Sequence, residues 1–361
     1  SIDNNIKISL DVRLQKYIQD IFTGKSGAVV VMNALNGEIL SATSFPEFDN
    51  NIFVRGITPK EWNDMRNDID HPFTNKVING LYPPGSVIKM GTALSFLENG
   101  IPEDFSVNCT GTLAIGNRNF RCWKTQGHGS VNFKRAIAES CDDFFYKGSL
   151  KLGIDKVSAT LDKLGFGNVT GVDQINEFLG VNPSKEWKEK KYKQPWYVGE
   201  TVITSIGQGN MLVTPLQIAR YTSYIATGKL PKPHFYKANY EEPKDLGIPT
   251  KYLDIIRKGM YDVSYSQNGT ASKHINSKVT IAAKTGTAQV VSISQSEKVR
   301  MKESELQYLE RSHAWITTYG PFENPQYVVT IIEEHGGHGG EAAGDIASRI
   351  YDKLQELGYI K

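Results

Sequence analysis

Ser86 and Lys89 stand three residues apart in Tyr82-Pro83-Pro84-Gly85-Ser86-Val87-Ile88-Lys89. This spacing lets a lysine amine take the proton of a serine hydroxyl without any histidine. Residues at i and i+3 share one face of a helix, so Lys89 is expected to lie over Ser86 and serve as its base. Pro83, Pro84 and Gly85 read as a turn that starts a helix at Ser86, the run to Asn99 is apolar enough to be buried, and Gly100 closes it. The free N–H groups of that first turn favour negative charge on an acyl oxygen and disfavour a proton on Lys89. An isolated pair of this kind reads first as an N-cap beside a solvated lysine, so its companions have to decide.

Two companions are present. Ser140-Cys141-Asp142 follows about fifty residues later, and Lys284-Thr285-Gly286-Thr287 lies near the end of an apolar, strand-like run from Val279 to Ala283. Lys284 would act as a second cation that keeps Lys89 uncharged, and Ser140 would relay a proton from Lys89 to a leaving nitrogen. Lys284, Thr285 and Thr287 offer a positive charge and two hydroxyls beside a strand edge, which suits a peptide ending in a free carboxylate. Gly286 would let the substrate backbone come close.

The elements that must hold these groups are legible in outline. Asp11 to Phe22 reads as an amphipathic helix, and Asn36-Gly37 as the tight turn of a hairpin. Residues 76 to about 230 read as mostly helical, with Thr214 capping a helix that has Pro215 at its first position. Strands are expected at Val279–Val291, Ala314–Tyr319 and Tyr327–Glu333, and a last helix from about Glu341 to Leu357. A sheet built from both ends of the chain is thus interrupted by helices: an α/β lobe at about 1–75 and 250–361, and an all-helical lobe at about 76–249. The segments Asp49–Asn75 and Ser292–Ser312 read as long loops, the second a lid or partner contact if it is more than surface.

Ser-x-x-Lys, a Ser-Asp-Asn-type triplet and Lys-Thr-Gly occur together in β-lactamases and penicillin-binding proteins. With all three in that order, the chain resembles the transpeptidase domain of the class B penicillin-binding proteins. Gly27-Ala28-Val29-Val30-Val31-Met32, Ile206-Gly207-Gln208-Gly209 and Thr214-Pro215-Leu216-Gln217-Ile218-Ala219 resemble further segments of it. Asp142 in place of asparagine, within Glu139-Ser140-Cys141-Asp142-Asp143-Phe144-Phe145-Tyr146, is similar to the elongation-specific branch of that class.

The resemblance implies an α/β fold of the penicillin-binding transpeptidase and serine β-lactamase type. An antiparallel sheet flanked by helices would face an all-helical lobe, with the active site between them. It implies a serine-type D-Ala-D-Ala transpeptidase that cross-links peptidoglycan stem peptides through an acyl-enzyme on Ser86 and is trapped by β-lactams. Ser86, Lys89, Ser140, Asp142 and Lys284 would be catalytic, Thr285, Gly286 and Thr287 would bind substrate, and the backbone N–H groups of Ser86 and Thr287 would form the oxyanion hole. Asp142 would orient Lys89 or contact the substrate backbone. A D,D-carboxypeptidase, a β-lactamase and a non-catalytic β-lactam sensor or scaffold remain the alternatives. The class also carries an N-terminal membrane anchor and a pedestal. A chain that starts at Ser1 with no signal peptide therefore resembles the catalytic domain alone, expected on the periplasmic face of the inner membrane beside membrane-bound elongation machinery with its glycosyltransferase.

Cys109, Cys122 and Cys141 are the only cysteines, and His128 sits among them at intervals of 13, 6 and 13 residues. Three thiolates and an imidazole suit a closed tetrahedral zinc site, although no tight Cys-x-x-Cys pair is present. A Cys109–Cys122 disulfide and plain buried thiols stay open beside it. Some elongation-type relatives carry a metal here on mixed Asp, His and Cys ligands, so the resemblance implies a structural zinc and no cofactor for catalysis.

Composition excludes other classes. The 361 residues, 39% apolar and 22% charged, describe a globular chain able to bury a large core. A net charge of +2 makes no case for nucleic acid. The run Lys185, Lys188, Lys190, Lys191, Lys193 with Trp187, Tyr192, Trp196 and Tyr197 reads as a solvated surface, with glycan or membrane contact as the alternative. No stretch reaches eighteen apolar residues. His335-Gly336-Gly337-His338-Gly339-Gly340 reads as a loop closing onto a helix rather than as a metal tract.

Overall fold

The computed structural model describes residues 5–290 and 307–361. Its centre is a five-stranded antiparallel sheet in the order β2-β1-β9-β8-β7. The strands are β1 (Gly27–Asn33), β2 (Ile39–Phe45), β7 (Ala282–Ala288), β8 (His313–Gly320) and β9 (Tyr327–Glu333). β1 is buried along nearly its whole length because it lies between β2 and β9 and is covered on both faces, which is why Ala28 to Met32 are all apolar. Asn33 closes the β1–β2 turn by accepting the N–H groups of Leu35 and Asn36 at 2.9 and 3.1 Å, and Gly37 takes φ +81°.

Neighbouring residues of β8 identify what covers each face. Thr317 Oγ1 lies 2.7 Å from Thr222 of the Pro215–Thr227 helix, whereas Thr318 Oγ1 lies 2.8 Å from the Tyr351 hydroxyl of the Gly339–Glu356 helix. Since successive strand residues point to opposite sides, these two helices sandwich the sheet. The Val12–Ile21 helix packs beside the terminal one on its face. The Pro215–Thr227 helix falls inside the stretch read as a separate helical lobe, yet it belongs to the sheet's packing, and one apolar core runs through both parts of the chain.

The structure departs from the sequence expectations at four places. The stretch 76–230 is interrupted by two small two-stranded sheets, β3 (Ser106–Cys109) with β6 (Gly129–Asn132) and, between them in the chain, the hairpin β4 (Thr112–Ile115) with β5 (Arg118–Arg121). Asp49–Asn75 is not a bare loop, because it carries helices Asn51–Arg55 and Pro59–Arg66, the latter opened by a Thr58–Glu61 capping box. The strand expected at Val279–Val291 is shorter, since β7 runs only from Ala282 to Ala288 with Lys284 to Thr287 in its middle. The helix expected at Ser86 begins as a 3₁₀ turn, Gly85–Ile88, and becomes α-helical at Lys89, running to Glu98 with Gly100 at φ +89° just beyond. Most of the proposed lid, Ser292 to Glu305 and Leu306, lies outside the described residues.

The glycine tract has a packing reason. A Cβ on Gly339 would stand 2.0 Å from the Trp315 carbonyl oxygen, and one on Gly340 would stand 2.4 Å from that of Thr270. Only glycine lets the terminal helix start directly against β8 and the loop before β7.

Candidate active site

Four of the five residues expected to be catalytic meet in one buried network. Lys89 is fully buried, and its Nζ donates to the Ser140 carbonyl oxygen (2.9 Å), Ser140 Oγ (3.1 Å) and Asp142 Oδ1 (2.7 Å). Lys284, equally buried, reaches the same Ser140 Oγ at 3.0 Å and donates to the Thr285 carbonyl oxygen at 3.0 Å. One hydroxyl therefore bridges the two amines. Burial, with the charge of Lys89 adding to it, pushes the Lys284 amine well below its ordinary pKa against the pull of Asp142.

Ser86 stands at the rim of this network. It is half-buried on the 3₁₀ turn, the Lys89 N–H donates to its carbonyl oxygen, and its hydroxyl has no hydrogen-bond partner among the described residues. The expected direct contact from Lys89 to the Ser86 hydroxyl is absent. An ammonium this deeply buried is drawn to the one carboxylate within reach, and its three protons are all donated to Asp142 and Ser140. For Lys89 to serve as the base, one of those protons has first to leave it, since only the neutral amine has a lone pair to accept another.

The turn carrying Ser86 is pressed onto β7. Gly85 has φ +53°, and a Cβ on it would stand 2.6 Å from the Thr287 carbonyl oxygen and 3.3 Å from the Thr287 nitrogen. Gly286 faces the same turn, since its Cβ would meet the Val87 nitrogen at 3.0 Å and the Pro84 oxygen at 3.1 Å. The room it leaves is taken by the nucleophile turn itself, a correction to the expectation that it clears space for substrate. Gly85→Ala is accordingly expected to slow labelling by a fluorescent penicillin about 10²-fold, the usual result of misplacing reacting groups by about 1 Å. Time courses of labelling on the folded variant check this.

Ile206-Gly207-Gln208-Gly209 braces the turn from behind. The Gly85 N–H donates to the Gly207 carbonyl oxygen at 2.9 Å, and Gln208 Nε2 donates to the Thr287 carbonyl oxygen at 3.0 Å. Trp315 Nε1 holds the Pro83 carbonyl at 3.0 Å, and the Tyr82 hydroxyl is bound to Glu334. Thr285 Oγ1 lies 2.6 Å from Thr270 Oγ1, so the first of the two threonine hydroxyls is hydrogen-bonded to a partner that the sequence did not single out.

Trp123 also went unforeseen. Its backbone N–H donates to Asp142 Oδ2 at 2.8 Å, and its indole Nε1 donates to the carbonyl oxygens of Ser140 (2.9 Å) and Glu139 (3.1 Å). Asp142 is thus used through both oxygens, one for Lys89 and one for Trp123, which an asparagine could not match.

Cys109, Cys122, His128 and Cys141 converge behind this network. Their sulfur and nitrogen ligand atoms all lie within 4.8 Å of one another and all four residues are buried. His128 Nδ1 is 3.6 Å from Cys109 Sγ and 3.5 Å from Cys122 Sγ. Tetrahedral zinc with Zn–S near 2.3 Å and Zn–N near 2.0 Å separates such atoms by about 3.6 Å, so the donors fit the ion. All three cysteines are free, which leaves the Cys109–Cys122 disulfide without support. A hydrogen bond from Cys141, opposed by burial and helped by one from His128, lowers the pKa of the Cys122 thiol, whereas the Cys141 thiol is raised by its bond to Cys122 and by burial.

The basic, aromatic run is largely self-paired. Lys188 is buried, lies 2.6 Å from Glu200 Oε2 and sits 4.5 Å from the Tyr197 ring centre, and Lys190 pairs with Glu186. A polar cavity of about 700 Å³ opens next to Glu139, between Arg135, Lys134 and Asp262, but Ser86 is not in its wall. Among the described residues no helix is long and apolar enough to cross a membrane.

A buried Lys–Ser–Lys–Asp network under a serine-bearing turn, on the edge strand of a helix-covered antiparallel sheet, defines a class of acyl-transferring serine enzymes. Residues 27–352 match the penicillin binding protein transpeptidase domain, and the chain belongs to that family. It is 36% identical over 364 residues to the peptidoglycan D,D-transpeptidase MrdA of Haemophilus influenzae, covering 96% of this chain and 56% of that protein. Against the corresponding MrdA of Escherichia coli the identity is 35% over 367 residues, with 97% and 58% covered. The chain thus spans a little over half the length of these relatives. Among solved structures, penicillin-binding protein PBP2 of Helicobacter pylori, in complex with MreC, superimposes with a TM-score of 0.93 at 46% identity, covering 100% of this chain and 65% of that one. Pseudomonas aeruginosa PBP2 in complex with WCK 5153 gives 0.85 at 35% identity, with 97% and 78% covered.

Proposed function

We propose that this chain is the catalytic domain of a peptidoglycan D,D-transpeptidase that cross-links stem peptides during cell elongation. The observation that carries this reading is the single hydroxyl of Ser140 held between two buried lysines beneath the Ser86 turn. In this reading the reactive form carries Lys89 as the neutral amine, and Ser86 Oγ attacks the carbonyl carbon of the D-Ala-D-Ala bond while its proton passes to the Lys89 lone pair. The oxyanion forms against the backbone N–H groups of Ser86 and Thr287. Collapse breaks the C–N bond, and the proton travels from Lys89 through Ser140 to the departing D-alanine nitrogen. An amine from a second strand then attacks the ester, loses its proton along the same path, and restores Ser86. Burial drives Lys284 toward the neutral amine, which suits a partner that takes up and returns the Ser140 proton.

Thr285 and Thr287 are assigned to the terminal carboxylate of the substrate or of a β-lactam, with Gly286 between them holding the Ser86 turn against β7. Asp142 is a positioning group for Lys89, supported by the 2.7 Å contact. Catalysis needs no cofactor in this scheme. Partners of the assembled protein would be the membrane-bound elongation machinery and its glycosyltransferase, on the periplasmic face of the inner membrane. Support comes from relatives solved in complex with MreC and in a peptidoglycan synthase complex.

The zinc proposal stands on the donor geometry of Cys109, Cys122, His128 and Cys141. Such an ion would tie the loop after β5 to the start of the Asp142–Leu152 helix and do no chemistry itself. Protein purified without added metal is expected to contain about one zinc per chain and to lose several degrees in Tm when it is chelated. Metal-free protein of unchanged Tm would remove the ion from this account.

The function is tested by mass spectrometry of a stem pentapeptide incubated with and without a second amine-bearing peptide. Transpeptidation predicts a cross-linked product, with D-alanine release that depends on the acceptor. Release that is indifferent to acceptor marks a D,D-carboxypeptidase, rapid turnover of penicillin a β-lactamase, and no reaction with either a sensor or scaffold.

A further inference from the structure

Ser140, the hydroxyl that links the two lysines, is held in a conformation serine seldom adopts. Its φ is +53°, a left-handed backbone region that is unfavourable for a residue with a Cβ and persists only when the surroundings impose it. Two donors converge on its carbonyl oxygen: Lys89 Nζ at 2.9 Å, and Trp123 Nε1 at 2.9 Å. The indole also reaches the Glu139 carbonyl at 3.1 Å, so it holds the two peptide units on either side of Ser140. The backbone N–H of the same tryptophan binds Asp142 Oδ2, while Asp142 Oδ1 binds Lys89. Trp123 therefore binds both residues that hold Lys89 and makes no hydrogen bond to Lys89 or Ser86 itself.

Its own placement is fixed from the other side. The indole meets the His128 ring edge-on at 5.4 Å, and Trp123 follows Cys122 directly, so the Cys/His cluster is its anchor. We propose that Trp123 is a positioning residue for the acylation reaction: its indole N–H locks the Ser140 peptide so that the Ser140 hydroxyl stays between Lys89 and Lys284. This rests on the reading of Ser86, Lys89 and Ser140 given above.

The lock is removed by Trp123→Phe, which keeps an aromatic ring against His128 and deletes the indole donor. Replacing Trp123 with 3-benzothienylalanine, the same bicyclic shape with sulfur for N–H, does so without a change of ring size. Labelled-penicillin kinetics on the full chain separate the first-order acylation constant from the half-saturating concentration, and the final labelled fraction counts correctly folded molecules. Both variants are expected to lower the first-order constant about ten-fold, less than the roughly 10²-fold that about 1 Å of misplacement costs, because Lys89 still holds the carbonyl. Half-saturation, labelled fraction and Tm should stay near those of the parent.

If the benzothienyl variant acylates at the parent rate, the indole N–H positions nothing and the inference is wrong. A loss confined to labelled fraction or Tm would equally overturn it, as a merely structural role predicts. Neither result would touch the transpeptidase assignment, which would fail only if the parent chain itself did not acylate on Ser86.

Discussion

Lys89→Met is expected to remove penicillin acylation by about 10²–10⁴-fold, the range that a positioned base supplies, and to destabilise the fold at the same time. The second effect follows from the pair it breaks. Asp142 keeps the Trp123 N–H on Oδ2 but loses the ammonium 2.7 Å from Oδ1, which leaves a nearly buried carboxylate without its counter-charge. Removing one partner of such a pair usually costs 3–5 kcal/mol, and about 3 kcal/mol is expected here because one hydrogen bond survives. A double variant separates the two effects. Lys89→Met with Asp142→Ala should recover much of the stability, since no charge is left unpaired, while acylation stays lost. Denaturant titration of the three proteins beside the parent, with labelling rates, measures both. If Lys89→Met proved as stable as the parent, the Lys89–Asp142 contact would not be the ion pair described here.

Lys284→Met is expected to have the opposite sign on stability. Lys284 is fully buried, and its Nζ bonds only to Ser140 Oγ and its neighbour's carbonyl oxygen, with no carboxylate in direct contact. Burying this amine costs the fold its hydration or its proton, and an apolar side chain of similar length carries neither cost, so a gain of about 1–4 kcal/mol is expected, the range seen when buried charged groups give way to apolar ones. The pH dependence gives the sign a second check. Burial, then Lys89, lower the Lys284 pKa in the folded state, so below the ordinary lysine value of about 10.4 the unfolded chain binds the proton more readily. The parent therefore loses stability through this group as pH falls from that value toward the folded one, and the methionine variant does not. The advantage of Lys284→Met should be larger at neutral pH than near pH 10, while acylation drops by about 10²-fold or more. A variant less stable than the parent at both pH values would contradict the cost assigned to Lys284.

This pairing of lost activity with gained stability shows what the site asks of the fold. The chain buries two amines within reach of one hydroxyl and compensates only one of them directly with a carboxylate. Strain at Ser140 and the left-handed Gly85 add to the same cost.

Much of the site was legible because its chemistry lies in short local spacings. Ser86 and Lys89 are one 3₁₀ turn apart, Ser140 and Asp142 flank one cysteine, and Lys284 to Thr287 are consecutive, so each fragment could be read before its neighbours in space were known. The sheet was legible for a related reason. The runs at Gly27–Asn33 and Tyr327–Glu333 are nearly all apolar because they are covered on both faces. The strands β3 to β6 were missed because each has four residues and exposes about half of them, too short for an alternating pattern to stand out.

What depends on contacts between distant parts was not legible. Nothing in the spacing of Trp123 points to the carbonyl of Ser140 seventeen residues on, nor in Thr270 to its hydrogen bond with Thr285. The Cys and His intervals of the cluster match no compact motif, because two small sheets and a helix cap supply the ligands separately. The expected Lys89–Ser86 contact failed for an electrostatic reason. A helix-face rule counts positions, whereas the buried ammonium answers to the nearest negative charge.

The account turns on Ser86 as the nucleophile of this network, and covalent labelling reads that most directly. The full chain is incubated with a β-lactam, digested, and mapped by mass spectrometry beside Ser86→Ala. One adduct per chain is predicted on the peptide that holds Ser86, with none on the variant. An adduct that persists in Ser86→Ala, or one found only on another residue of the parent, would contradict it.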